Sequence, residues 1–312
     1  MEPTMSRRTA LSCTLAGAIS GFGAVEALAQ ATVPPRGEGS VSVVYQNVDF
    51  AGHINFLGQR IPNGAAHSQT VLFEVDYGLT DNLAISVGLP YVTAKYTGQG
   101  PACPLCAASP LGFHAGPNDD GLYHGALQDF RIDLRQNIFR RPLILTPSIG
   151  VVIPSHRYEQ HGEAAIGRGL WELQIGINLA RSLEPFWPKA YVQGRYSYTF
   201  VQRDLNVPLN KSNGLVEAGY AIVSSLSVRG LATWQRTHGG LNGFPEFQFS
   251  EDLLQNHDRL LRDNNWRAGG GVVYSVTESI DLSATVITVV SGTVTHFGTG
   301  ITFGTIWRFA TR

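Results

Sequence analysis

The chain has 312 residues, of which 43% are hydrophobic and 15% charged, and its formal net charge is -1. Ordinary soluble domains carry about 25% charged residues, so the charge content is low for a cytosolic enzyme. A mean hydropathy of -0.02 is too polar for a bundle of membrane-spanning helices. The near-zero charge argues against a nucleic-acid partner, and the sequence lacks P-loop, dinucleotide-binding and zinc-finger motifs, so we predict no cofactor.

The first thirty residues have the pattern of an export signal. Arg7 and Arg8 form a positive n-region, and the small-residue stretch "TALSCTLAGAISGFGAVEALA" follows them. The Ala-Leu-Ala sequence at 27–29 offers a cleavage site of the A-x-A type. We therefore predict a cleaved signal peptide over residues 1–29 and a lead segment over residues 30–39.

Two cysteines remain after the predicted cleavage, Cys103 and Cys106 in "CPLC". Export leads to an oxidising compartment, so we predict a disulfide between them. A redox-active pair would start a helix in a thioredoxin-like unit, and no such unit is visible around this one.

Most of the remaining chain shows the period-2 alternation of apolar and polar residues that is typical of β-strands. In "TVLFEVDYG" (70–78), for example, apolar side chains alternate with Glu74 and Asp76. About twelve such segments follow one another, near residues 40–50, 68–78, 82–96, 124–139, 143–154, 169–181, 189–201, 213–222, 225–237, 265–276, 279–290 and 298–309.

The lengths of these segments and of their connections indicate a membrane barrel. Each segment has about 10 to 15 residues, whereas a soluble strand has roughly 5–6 and a tilted membrane strand about 9–11. Short connections alternate with longer ones, and the longer ones are 51–67, 97–123, 155–168, 202–212, 238–264 and 291–297. Outer-membrane barrels alternate short periplasmic turns with long external loops in this way. An exported soluble β-sandwich is the alternative, but its strands would be shorter.

We therefore predict an all-β fold, a transmembrane antiparallel up-and-down β-barrel of about twelve strands over residues 40–312. In "DFRIDLRQNIF" (129–139) the charged residues occupy every second position. Arg or Lys on the lipid face costs about 2–4 kcal/mol near the midplane, so we expect the charged face to line the lumen. The predicted lumen-lining and solute-binding residues are Glu74, Asp76, Asp129, Arg131, Asp133, Arg135, Glu172, Arg195, Glu217, Arg229, Arg267 and Arg308. These charges can select solutes or pair with one another in a filled lumen, and both readings stay open.

The predicted external loops and the strand ends beside them contain all nine histidines: His53, His67, His114, His124, His156, His161, His238, His257 and His296. No two of them have a tight ligand spacing such as H-x-x-x-H, so we predict no metal site. Ser155–His156 and Ser291 with His296 are the nearest pairs of a nucleophile and a base. Strand neighbours point to opposite faces, which makes the first pair geometrically poor. We predict that the protein is not an enzyme.

The loop segment "SEDLLQNHDRLLRD" (250–263) has the pattern of a short helix, with Ser250 as its N-cap and leucines at helical spacing. We favour a surface helix packed on neighbouring loops over a plug or lid.

Two motifs resemble those of a known family. "YGLTDNLAISVGLPYV" (77–92) resembles the hallmark of the outer-membrane proteins named for the meta-pathway of phenol degradation, which is Tyr-Gly-Leu-Thr-Asp, a short strand and Leu-Pro-Tyr. "GALQDFRIDLR" (125–135) is similar to the Gly-x-Gly-Asp strand start of that family, with Gln128 in place of the second Gly.

Two further stretches extend the resemblance to about residues 66–309. "GVVIPSH" (150–156) resembles the Leu-Pro-Thr-Gly element of the family, with Ser155 and His156 at the last two positions. "SGTVTHFGTGITFGTIWRF" (291–309) resembles its last hairpin. The resemblance implies a barrel of about twelve strands that takes up hydrophobic, often aromatic, compounds. It brings no established binding residues.

Together these observations predict an outer-membrane channel of a Gram-negative bacterium for passive uptake of small hydrophobic or aromatic solutes. Its other partners would be the outer-membrane lipid and lipopolysaccharide. The first alternative is a closed structural or adhesive barrel with functional external loops, and the second is an outer-membrane lipid hydrolase.

Overall fold

The computed structural model describes residues 31–62, 64–97, 117–242, 250, 252–253 and 256–311. The predicted signal peptide and the predicted Cys103–Cys106 disulfide lie outside these residues. Within the described ranges, no helix has both the length and the apolar character that crossing a membrane requires.

The described residues include fourteen strands, the short helix α1 (His257–Leu260) and two further helical residues at 252–253. The strands are β1 (Glu38–Ile54), β2 (Arg60–Ile61), β3 (Ala65–Gly78), β4 (Leu83–Thr97), β5 (His124–Leu127), β6 (Phe130–Gln136), β7 (Ile144–Ile153), β8 (Glu172–Ser182), β9 (Ala190–Val201), β10 (Lys211–Val223), β11 (Leu226–Thr237), β12 (Asn264–Ser275), β13 (Ile280–Thr293) and β14 (Thr295–Ala310).

Twelve of these strands form one closed wall, and β2 and β5 are short additions to it. Each wall strand pairs antiparallel with the next wall strand along the chain. The last strand, β14, pairs with β1 from Glu38↔Ala310 to Ile54↔Thr295, which closes the sheet. The prediction of an all-β antiparallel up-and-down barrel of about twelve strands is therefore confirmed.

The two faces of the wall differ as the alternation predicts. In β1, Val44 is buried while its neighbours Val43 and Tyr45 are exposed. An exposed belt of large apolar side chains surrounds the barrel and includes Val43, Phe73, Val87, Ile149, Ile175, Val216, Val272, Val286 and Phe303. Closure satisfies the backbone hydrogen bonds of the wall internally, as a bilayer requires. A closed barrel with such a belt is the architecture of outer-membrane proteins.

The connections divide the barrel into two ends. The turn end holds the start of β1, the end of β14 and the short connections 79–82, 137–143, 183–189, 224–225 and 276–279. The loop end holds the ends of the longer connections from β1 to β3, β4 to β6, β7 to β8, β9 to β10 and β11 to β12. The prediction of a further loop over 291–297 is wrong, because β13 and β14 are separated only by Val294, whose φ is 53°. The Thr and Val residues of this stretch suit extended backbone.

The predicted strand 124–139 is divided by a bulge. Tyr91 of β4 pairs with Leu127 and Gly88 pairs with Arg131, so the β5–β6 side has one residue more than the β4 side. The bulge lies opposite Pro90, which has no N–H to donate to the ladder. Among the described residues, β5 pairs only with β4, whereas β6 pairs with both β4 and β7. The ladder to β7 therefore ends at Phe130↔Ile153 and does not continue along β5.

The lead segment enters the barrel at the turn end. Ala31 and Val33 are buried. Thr146 donates a hydrogen bond to the carbonyl oxygen of Ala31, and Arg135 Nη1 donates one of 3.1 Å to that of Thr32. Both donors belong to the inner face of the wall. Residues 31–33 therefore fill part of the lumen.

Candidate functional site

The structure places the predicted charged residues on the inner surface of the barrel, where they form ion pairs across the wall. Arg195 Nη2 of β9 lies 3.9 Å from Asp133 Oδ1 of β6, although two strands separate them. Only the concave face of a closed barrel brings such side chains together. Lys211 Nζ of β10 similarly contacts Glu172 of β8 at 3.1 Å across β9.

Arg135 is the centre of a second, more buried group. Its guanidinium forms an ion pair and hydrogen bond with Asp76, across β4. Ser86 of β4 lies between them and donates a hydrogen bond of 2.9 Å to Asp76 Oδ1. Glu74 is buried on the same face of β3, beside Gly88.

The other predicted residues lie around the same inner surface. Arg229 contacts Glu217 at 3.8 Å and donates a hydrogen bond of 2.7 Å to Thr285 Oγ1. Arg308 pairs with Asp281 at the turn end. Asp129 accepts a hydrogen bond of 2.8 Å from the Tyr158 hydroxyl. The remaining two are Arg267, which is buried, and Arg131, which is partly buried.

The lumen has an apolar side as well as a charged side. In the middle of β1, β13 and β14 the inward positions carry no charged side chain: Val44, Val48, Ile287, Val289 and Ile306 alternate there with neutral polar or small residues, and the inward Asp281 and Arg308 lie near the turn end. Strands β6, β8, β9 and β10, across the lumen, carry seven of the fourteen charged residues described above. We call these two surfaces the apolar wall and the charged wall. A solute with an apolar body and a polar edge could contact the apolar wall with its body and the charged wall with its edge.

The connection 154–171 folds down against the apolar wall. Ile166 is buried in a cluster with Val48, Val92 and Val289. The Gln128 side-chain amide donates a hydrogen bond to the Ile166 carbonyl oxygen. Val48 is six positions below the end of β1, so this connection occupies the upper lumen.

Helix α1 lies across the mouth of the barrel. Its Leu260 is buried with Leu170, Val201 and Leu209, at the ends of β8, β9 and β10. On the other side, Asp258 Oδ1 lies 3.8 Å from His296 Nε2 of β14. Strand β14 is on the far side of the closed sheet from β8 and β9.

The predicted cap is present, since Leu253 N donates to Ser250 Oγ at 3.3 Å. The predicted packing on neighbouring loops is confirmed, since Leu260 is buried against Leu170, Leu209 and Leu241. The helix departs from a simple surface position because Asp258 also reaches His296 of the wall. We call the connection 154–171 and helix α1 the loop-end cover.

Five titratable side chains meet under this cover: His53 at the end of β1, Glu163 in the connection 154–171, His257 and Asp258 of α1, and His296 at the start of β14. The His53 and His296 rings are 4.1 Å apart. Burial favours a raised pKa for Glu163, but the nearby His257, His53 and His296 outweigh it and lower that pKa to about 2. Burial, assisted by Glu163 and Asp119, raises the pKa of Asp258 to about 7.

Sequence reasoning missed this cluster because its members come from four distant segments with no local spacing. The only indication in the sequence was that all five residues fall within the predicted longer connections. A second expectation was also wrong. Ser155 and His156 do touch, with 2.8 Å between Oγ and Nδ1, because the chain has left β7 at this point and neighbouring side chains no longer point to opposite faces. In the described residues no carboxylate contacts His156, which leaves the pair without a group to orient the imidazole.

Comparisons with known proteins agree with the fold. No protein-family model matches the sequence, and no curated protein sequence matches it. The crystal structure of an outer membrane channel from Pseudomonas putida F1 matches with a TM-score of 0.65 at 13% identity, covering 90% of this chain and 99% of that one. The translocator domain of the autotransporter NalP from Neisseria meningitidis matches with a TM-score of 0.51 at 9% identity, covering 89% and 90%. At these identities the likeness shows a shared outer-membrane barrel fold.

Proposed function

We propose that this protein is an outer-membrane channel for the passive uptake of small hydrophobic or aromatic solutes. The observation that carries the proposal is the two-sided lumen, in which the apolar wall faces the charged wall. An aromatic solute bearing a hydroxyl or carboxyl group can lie with its ring on the apolar wall and its polar group toward the opposite arginines. The mechanism is diffusion, with no covalent chemistry.

The proposal includes how the chain reaches and occupies the membrane. Residues 1–29 act as the export signal, the turn end faces the periplasm, and the loop end meets lipopolysaccharide. The apolar belt contacts the membrane lipid. The motifs at 77–92 and 125–135 support membership of the phenol meta-pathway family of outer-membrane proteins, and the barrel fold is compatible with it.

Passage requires two movements, because the lumen is filled from both ends. The loop-end cover must lift from the apolar wall, and residues 31–33 must leave the inner face of β6 and β7. The connection 154–171 is held by the apolar cluster around Ile166 and by hydrogen bonds to Asp119 and Asp129, whereas residues 31–33 are held by hydrogen bonds from the inner face of the wall. Because both ends are filled, we assign this structure to a closed state of the proposed channel.

A closed structural or adhesive barrel is the second candidate. The same filling of both ends favours it, since a barrel without transport has no need of an open lumen. Its functional surface would be the external loops.

Uptake by whole cells distinguishes the two candidates. Cells that express the protein should take up radiolabelled toluene faster than cells without it. Val44→Thr, on the apolar wall, should lower the initial rate about fourfold, because losing the equivalent of one buried methyl group costs about 0.8 kcal/mol. Val43→Thr is the matched control, since Val43 is the next residue of β1 and faces lipid. Equal uptake with and without the protein would favour the structural barrel.

A further inference from the structure

The five-residue cluster under the loop-end cover has the composition of a metal site, and its candidate ligand atoms lie close together. One ligand atom each from His53, Glu163 and His296 can be chosen so that all three lie within 4.8 Å of one another. His53 Nε2 is 3.9 Å from Glu163 Oε2. An ion with bonds of about 2.0–2.2 Å places its ligand atoms roughly 3.3–3.6 Å apart. Shifts of a few tenths of an ångström to about 1 Å would bring these atoms to that spacing.

Two further side chains, those of His257 and Asp258, lie next to these three. His257 Nε2 lies 3.5 Å from Glu163 Oε1 and 3.4 Å from Asp258 Oδ1. Asp258 Oδ1 lies 3.8 Å from His296 Nε2. Each of the two carboxylates thus contacts two imidazoles, and each separation is longer than an ordinary hydrogen bond.

The cluster is buried and incompletely satisfied by protein groups. The Glu163 and Asp258 side chains are each only 6% exposed. Among the described residues, the buried Oδ1 of Asp258 has no hydrogen-bond partner, nor has Nδ1 of His53 or of His296. A buried carboxylate is costly unless it is paired or coordinates a metal. An ion between these imidazoles and carboxylates would remove that cost for Asp258.

We propose that these residues bind one divalent transition-metal ion of the Zn²⁺ class, with His53, Glu163 and His296 as ligands and with His257 and Asp258 beside them. Imidazole nitrogen and carboxylate oxygen are the donors that such ions take. The sequence-based expectation of no metal site is revised by this proposal.

The five residues come from different parts of the barrel, so a bound ion would join these parts. His53 and His296 belong to neighbouring wall strands, and they pair directly in the β1–β14 ladder. Glu163 belongs to the connection 154–171, and the other two belong to α1. The ion would therefore fasten both parts of the loop-end cover to the wall and hold the mouth closed.

Metal binding can be measured without any transport assay. The mature protein, refolded in detergent and stripped with a chelator, is titrated with ZnSO₄ by calorimetry and with Co²⁺ by visible absorption. We expect one Zn²⁺ per chain and the d–d absorption of a Co²⁺ ion in a low-symmetry nitrogen and oxygen site. Glu163→Gln and His296→Ala should each weaken Zn²⁺ binding about tenfold or more, the loss that even supporting residues of metal sites cause.

His124→Ala is the matched control, because His124 is a loop-end histidine that bonds to Asp120 outside the cluster. Its Zn²⁺ affinity should equal that of the wild type. If His296→Ala fails to fold, His53→Gln replaces it, and heat-modifiable migration on a detergent gel verifies folding. No Zn²⁺ binding by folded wild-type protein, or equal loss in the control, would overturn the proposal and leave a hydrogen-bonded network of imidazoles and carboxylates.

Hydrogen exchange supplies a second readout. Zn²⁺ should slow amide exchange across the connection 154–171 in the wild type and leave it unchanged in Glu163→Gln. Binding without any change in exchange would retain the site but overturn the fastening of the cover. Neither measurement depends on whether the barrel conducts.

Discussion

Arg135 connects three parts of the lumen. It pairs with the buried Asp76, donates to Ser86 Oγ at 3.3 Å and donates to the carbonyl oxygen of Thr32 in the lead segment. Removing one partner of a buried ion pair leaves the other charge uncompensated. This residue therefore links the stability of the wall to the filling of the turn end.

Arg135→Gln should lower the free energy of unfolding by about 3–5 kcal/mol, because the buried Asp76 would lose its ion-pair partner. Urea unfolding in detergent micelles, followed by tryptophan fluorescence, measures this change. Adding Asp76→Asn to Arg135→Gln should recover part of the loss. Arg181→Gln, at an exposed position of β8, is the control and should leave the unfolding midpoint unchanged. Equal midpoints for all variants would contradict the pairing.

The inner face of each strand could be predicted from the sequence, but the partners could not. Period-2 alternation decides the face of Asp133 and Arg195 without knowledge of the fold. Their contact depends on barrel closure and on the stagger of β6 against β9, which no local pattern encodes. The contact between His53 and His296 is still harder to predict, because it depends on the pairing of the first and last strands.

Among the elements, the strands were predictable and the irregularities were not. The bulge between β5 and β6 lies opposite Pro90 on a different strand, and the sequence of 124–139 alone reads as one strand. Helical structure in 250–263 was predicted from Ser250 and the leucine spacing, and α1 lies within this segment, with Asn256 rather than Ser250 at its N-cap. Its position across the mouth depends on Leu170, Val201 and Leu209, which come from distant parts of the chain.

The loop-end cover should loosen when its apolar contact is disrupted. Ile166→Asp would place a carboxylate against Val48, Val92 and Val289, where burial of an unpaired charge is strongly unfavourable. We expect faster hydrogen exchange throughout the connection 154–171 and a higher open probability in planar bilayers. Leu122→Asp is the control, since Leu122 is 65% exposed. Unchanged exchange in Ile166→Asp would show that this contact does not hold the cover.

The lead segment should act as a second closure, at the turn end. A mature chain that begins at Arg36 lacks the buried Ala31 and Val33 and should conduct more ions per open channel. The barrel should remain folded, because its strands begin at Glu38. Conductance in planar bilayers measures the effect, and a value equal to that of the full mature chain would show that residues 31–33 do not restrict the path.

For the whole molecule, a two-sided lumen inside a closed barrel is the basis of the proposed function. The belt of apolar side chains, the alternation of short and long connections and the charged inner face were all visible in the sequence. The filling of both ends was not, because it depends on long-range packing. Because both ends of the lumen are filled in this structure, the proposed transport requires these fillings to move.

Single-channel conductance in a planar bilayer, with and without a monocyclic aromatic such as phenol, tests the central claim most directly. We predict small discrete current steps for the wild type, larger steps for the chain that begins at Arg36, and block of both by the aromatic. Reversal of charge at Arg195, which pairs with Asp133, should change the ion selectivity of the steps. A silent bilayer for correctly folded wild type, for the shortened chain and for Ile166→Asp would contradict the account and assign the function to the external loops.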